Sequence, residues 1–301
     1  MSDYYGRPVI KEPVWTPEIP LYFFTGGMAG ASAGLAFMAE ATGNEVLARR
    51  AWAAAMGGIA VSPALLISDL GVPSRFLNML RMFKVTSPMS VGSWILSGSG
   101  ATTTLASANA LTGLFPVLGR AAKPAAAVLG LPLATYTGAL IANTSVPVWH
   151  NARNMLPALF GAGAAASAGA AATILTPVRD AAPARRLAIM GAAAELVATN
   201  VMEQKLGSLA QPYHEGPSGT LARTAKVLTA VGAMAIGGWG HQRRSAAVLG
   251  GAALLGGALA ERFAVFRAGF ASAKDPKFTV GPQRERIEAG LGKGASQRAA
   301  A

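Results

Sequence analysis

The 301-residue chain predicts an all-α fold: a polytopic membrane helical bundle with about eight transmembrane helices. Three observations predict it. Hydrophobic residues make up 52% of the chain and charged residues only 13%, whereas a soluble domain carries about 25% charged residues. The mean hydropathy is +0.38. The apolar residues also gather into runs of about 20, the length that crosses a hydrocarbon layer about 30 Å thick. Runs this long and continuous suit helices and not barrel strands.

Residues 1–20 form a polar N-terminal segment rich in proline. It lacks the basic-then-apolar layout of a cleaved leader. The membrane domain is expected over 21–270, with spans near 21–39, 51–70, 89–111, 125–146, 155–175, 187–202, 225–239 and 246–266. Pro63 is expected to kink the second span and Pro132 to interrupt the fourth. The third is rich in Ser and Thr. The fifth is almost all Ala and Gly, which partition weakly into lipid, so it is expected to be an interior helix wrapped by neighbours. The sixth carries Glu195 and Asn200. Residues 271–301 are basic and poor in apolar side chains, the composition of a tail without fixed structure.

An even number of spans puts both termini on one face. Loop cations divide evenly between the two faces. The tail adds Arg267, Lys274, Lys277 and further cations, which makes the terminal face the cytoplasmic one on the positive-inside rule. The net charge of +12 is assigned to loops and tail, not to nucleic-acid binding. There are no cysteines, which excludes disulfides and cysteine-held iron–sulfur clusters in this chain. His150, His214 and His241 fall in or beside expected loops, which does not suit a haem held between facing histidines.

Several residues carry more chemistry than a lipid-facing bundle needs. A charge at the bilayer centre costs about 2.5–3.5 kcal/mol on insertion scales, so Asp69, Glu195 and Glu261 need a reason. Asp69, at the exit of the second span, is either an interfacial carboxylate paired with Arg75 or a proton carrier. Glu195 either pairs with a cation or holds a proton in a relay. Glu261 is expected to be salt-bridged to another helix. Glu40 and Glu203 read as interfacial. The connector 67–94 has Leu77, Leu80 and Phe83 at roughly helical spacing with Arg75, Arg81 and Lys84 among them. That pattern suits a membrane surface or a docked partner. Tyr136 puts a phenol into an Ala/Gly-walled span, with Asn143 about two turns on. It is either capped by a carbonyl or donates to a ligand. Tyr22, near the start of the first span, is an interfacial anchor or a second donor.

The order of these residues resembles the NrfD/polysulfide-reductase family of membrane subunits. The resemblance rests on Asp69-Leu-Gly-x-Pro-x-Arg-Phe76, Asn78-Met-Leu-Arg-x-Phe-Lys84 and Thr86-Ser-Pro-Met-Ser-x-Gly-x-Trp94. It extends to Thr135-Tyr-Thr-Gly138 with Val146-Pro-x-Trp149, and to the opening Pro20-Leu-Tyr-Phe-Phe24. It implies a subunit of the prokaryotic cell membrane that exchanges electrons with a quinone pool and holds no haem or cluster of its own. The implied partners are a ferredoxin-like iron–sulfur subunit and a molybdopterin oxidoreductase, in a polysulfide reductase- or formate dehydrogenase-like complex, with lipid around the bundle. The quinone, of menaquinone or another type, is an exchangeable substrate. The resemblance puts quinone binding on Tyr136 and proton movement on Asp69. Where some members place a histidine near that pocket, this chain has Tyr22. Asn143 joins the expected pocket, Glu195 the proton route, and Arg75, Arg81 and Lys84 the docking surface. A proton-coupled transporter and a purely structural anchor are the alternatives. No internal repeat of the kind that marks many transporters is visible.

Overall fold

The computed structural model describes residues 9–288. Ten α-helices follow one another: α1 Glu18–Ala41, α2 Glu45–Asp69, α3 Pro88–Thr112, α4 Pro116–Ala142, α5 Pro147–Asn151, α6 Leu156–Leu175, α7 Ala182–Leu206, α8 Gly216–Gly238, α9 Arg244–Lys274 and α10 Lys277–Glu288. Short 3₁₀ turns cover Pro73–Leu80 and Gly207–Tyr213. No strand occurs among the described residues. Each expected span falls on one of the eight long helices. Five of them, α1, α2, α4, α6 and α9, are long and apolar enough to cross a membrane. The chain is an all-α membrane bundle.

Local chemistry sets the boundaries. Asn44 accepts the Leu47 N–H at 3.1 Å and starts α2, as an N-cap side chain satisfies an orphan donor. Gly113, at φ 77°, closes α3. Pro88, Pro116 and Pro147 open helices at positions where no N–H is needed.

Consecutive long helices pack in pairs, α1 on α2, α3 on α4, α6 on α7 and α8 on α9, and α1 also packs on α4 and α6. The Ala/Gly helix α6 is the innermost: 67% of its most apolar stretch is buried, against 39–50% in the other four apolar helices. The expectation of an interior helix holds for a simple reason. Small side chains gain little from lipid and let neighbouring backbones approach. The same device joins α1 to α4. Gly30 and Gly130 lie backbone against backbone, and a Cβ at either would run into the other's carbonyl.

Two expectations need correction. The fourth span is not interrupted at Pro132: α4 begins nine residues earlier than expected, at Pro116, and runs unbroken through Pro124 and Pro132 to Ala142. Buried contacts on several sides keep such a helix continuous despite missing donors. Nor is the whole of 271–301 without structure. Helix α9 continues to Lys274, and α10 follows, held by Phe278 in the core. Lys277 N–H bonds the Asp275 carboxylate at 3.0 Å. Residues 289–301 and 1–8 lie outside the described residues.

Candidate functional site

The Gly30–Gly130 crossing fixes the angle at which α1 and α4 diverge toward the face that carries the N-terminal segment. Tyr22 is about two turns from Gly30 on α1, and Tyr136 is six residues from Gly130 on α4. Their hydroxyls meet in a direct hydrogen bond. The Tyr22 side chain is buried, 1% exposed. The Tyr136 ring lies against Gly92 of α3 so closely that a Cβ there would overlap it. Three helices thus position one pair of phenols.

The phenols line a small, partly open cavity of about 50 Å³. Its walls are apolar, from Ile19, Phe23, Leu66 and Leu140, and its polar atoms come from the two tyrosines, Ser93 and Asp69. Asp69 ends α2 and accepts both the Thr16 N–H, at 2.9 Å, and the Thr16 hydroxyl, at 2.6 Å. It therefore also pins the N-terminal segment across the cavity. Trp15, the next wall, stacks on Trp149 with ring centroids 5.7 Å apart. The Arg75 pairing considered for Asp69 is not formed; Thr16 takes its place.

A second chamber of about 250 Å³ adjoins the first and shares Met79, Met89 and Ser93 with it. Methionine side chains adjust readily, so small rotations would merge the two into a volume near the about 300–1,000 Å³ typical of ligand sites. The connector roofs this second chamber through Asn78, Met79, Met82 and Lys84. Its helical part ends at Leu80, so Arg81, Phe83 and Lys84 lie beyond it. Leu77 is 69% exposed and Phe83 59% exposed, and Arg75, Arg81 and Lys84 are exposed around them.

The structure brings together Tyr22, Tyr136 and Asp69, while of the connector cations only Lys84 lines the adjoining chamber. It does not bring Asn143 or Glu195 into the cavity. Asn143 is the exposed cap of α4. Glu195 faces the α6–α9 side, where Arg262 Nη1 lies 3.9 Å from its carboxylate and both side chains are almost fully buried. Arg262 also donates to the Phe160 carbonyl at 2.9 Å and sits 4.1 Å above the Phe160 ring. Asn200 is exposed and does not join Glu195.

Glu261 was expected to be bridged to another helix. Among the described residues it forms no ion pair, and one of its oxygens is buried without a hydrogen-bond partner. The neighbouring Arg262 is drawn to Glu195 and Phe160 instead. Glu203 is paired with Lys226 at 2.7 Å. Nearby, the buried Tyr213 hydroxyl has no partner among the described residues, and burial, then the charges of Glu261 and Glu203, push that phenol well above its usual range.

Arg262 is the residue that sequence reasoning missed. A cation inside an apolar run is as much in need of a partner as a carboxylate, and that signal was there to be read, though it does not name Glu195. Trp15 and Thr16 were also missed, because nothing local marks a polar leader as a cavity wall.

A family described as polysulfide reductase, of the NrfD type, matches residues 1–274. No curated protein matches the chain. With nine-tenths of its length matched, this chain belongs to the NrfD-type polysulfide reductase family, membrane subunits of redox complexes.

Proposed function

We propose that the chain is the quinone-reactive membrane subunit of a molybdopterin and iron–sulfur oxidoreductase. It passes electrons between the quinone pool and a partner iron–sulfur subunit. The observation that carries this reading is the meeting of two phenols, Tyr22 and Tyr136, in an apolar-walled cavity that also contains a carboxylate, Asp69.

A quinone head needs apolar faces for its ring, donors for its oxygens and a route for two protons. Ile19, Phe23, Leu66 and Leu140 supply the faces. The phenols are hydrogen-bonded to one another at rest, so an entering carbonyl accepts from one of them without leaving a buried donor unsatisfied. Asp69 is the carboxylate in reach of the same space and takes the role of proton carrier. Oxidation of a quinol there releases two protons toward Asp69 and two electrons to clusters held by the partner; reduction runs in reverse. Glu195, in the separate Arg262 cluster, carries protons within that cluster and not at the ring.

Docking of the iron–sulfur subunit is assigned to the connector. Exposed Leu77, Met82 and Phe83 beside Arg75, Arg81 and Lys84 supply an apolar centre with a cationic rim. Met82 and Lys84 of this segment line the chamber that adjoins the tyrosine cavity, so a partner docked there would keep the tunnelling distance short.

The test is Tyr136→Phe in the reconstituted complex. Turnover with added quinol is expected to fall by about tenfold, the upper range of what one hydrogen bond contributes, while the subunits still purify together. Unchanged turnover would remove the cavity from the mechanism.

A further inference from the structure

A second cleft lies on the far side of the Gly30–Gly130 crossing and shares no wall residue with the tyrosine cavity. It has a volume of about 760 Å³ and is bounded by α1, α4, α6 and α7. Its mouth faces outward: Met38 is 59%, Leu131 67% and Met190 69% exposed. The lining is apolar apart from Thr135 and Arg186. Thr135 bonds the Leu131 carbonyl at 3.1 Å. Arg186 makes no hydrogen bond or ion pair with any described residue, so it is the polar group left for a ligand.

The dimensions point to one class of occupant. Along α1 the cleft runs from Gly30 to Met38, eight residues and about 12 Å of helix. That is close to the ~15 Å depth of one leaflet's hydrocarbon. Arg186 stands in the second turn of α7, at the membrane-surface end. Arg179 and Arg185 lie beside it in sequence. Asp180, the carboxylate of the α6–α7 loop, is paired with Arg179 at 3.2 Å, and Arg185 is bonded to the Val178 carbonyl at 2.7 Å. Excess positive charge therefore remains at Arg186.

We propose that this cleft holds one anionic diacyl phospholipid, with an acyl chain between α1, α4 and α7 and its phosphate on the Arg186 guanidinium. Basic pockets between transmembrane helices suit such headgroups. The bound chain fills the open space beside Gly34, and so supports the helix crossing that sets the tyrosine pair.

The experiment is native mass spectrometry of the full-length protein, titrated with phosphatidylglycerol or with phosphatidylcholine of the same chains. The wild type should hold one phosphatidylglycerol with a preference of about fivefold or more, from the ~1 kcal/mol that a basic residue contributes near an anionic lipid surface. Arg186→Gln should abolish the preference. A Cβ at Gly34 meets nothing within 4 Å, so Gly34→Leu should fill the cleft and lower retention of both lipids. Should that variant fail to fold, Met190→Trp at the exposed mouth replaces it. Equal retention of the two lipids by the wild type overturns the proposal. So does an unaltered preference in Arg186→Gln, or displacement of the lipid by added quinone, which would make the cleft a quinone-tail channel.

Discussion

The tyrosine cavity and the Arg262 cluster are both polar intrusions into an apolar bundle, yet they are built on opposite principles. The cavity uses neutral donors, keeps free volume, and is closed by flexible methionines and a strap from the N-terminal segment. The cluster uses ionisable side chains, packed tightly enough that several polar atoms are sealed without hydrogen bonds among the described residues. The two stand back to back: Phe23 of the cavity wall contacts Phe160, centroids 5.7 Å apart, and Phe160 carries Arg262 on its face. The difference separates a place where a guest can enter from a place where charge is held. A neutral ligand exchanging with lipid needs the first kind. Buried charge needs its partners kept in place, because removing one leaves the other stranded.

Substitutions can break or sharpen this contrast. The largest effect is expected for Arg262→Met, which strands Glu195 and should cost about 3–5 kcal/mol of stability, seen as a lowered unfolding midpoint in detergent. Adding Glu195→Leu should restore much of it; a double variant no more stable than the single one would show that the two charges are not coupled. Next comes Gly92→Ala. The new methyl group overlaps the Tyr136 ring, and displacement by about 1 Å costs on the order of 100-fold in rate. Quinol-linked turnover should fall steeply while the unfolding midpoint moves much less than in Arg262→Met. Tyr22→Phe should lower turnover about fivefold, the middle of the range for one hydrogen bond, with little effect on assembly. The smallest stability effect belongs to Asp69→Asn. Its carbonyl oxygen still accepts from Thr16, so the strap stays in place while the proton-accepting carboxylate is lost. Quinol-linked turnover should fall with an unchanged unfolding midpoint; turnover identical to wild type would assign Asp69 to the strap alone.

Much of the architecture was legible because burial in lipid demands long apolar runs, and the eight long helices announce themselves that way; the short α5 does not. The interior position of α6 followed from its alanines and glycines. Tyr136, Tyr22 and Asp69 could be singled out as polar groups near the same membrane face, but their meeting depends on the Gly30–Gly130 crossing, which pairs residues 100 positions apart and has no local signature. Asn143 was misplaced because helical spacing from Tyr136 ignores where α4 ends. Arg262 was given no role because adjacency to Glu261 excludes that pairing on one helix but does not say which distant residue, here Glu195, each one meets. Order in α10 escaped notice because its composition is that of a solvated tail, and one buried ring, Phe278, is what holds it.

The strap has a consequence for how the protein is made. Trp15 and Thr16 leave the ribosome early, yet their anchors arrive much later: Asp69 after another 53 residues, then Trp149. Lys274, which reaches Glu12 at 3.4 Å, comes at the end of the last long helix. The segment therefore fastens in stages: Thr16 once α2 is complete, Trp15 once Trp149 is in place, and Glu12 only when the last long helix has been made. The cover over the chamber is thus tied at one end long before the other.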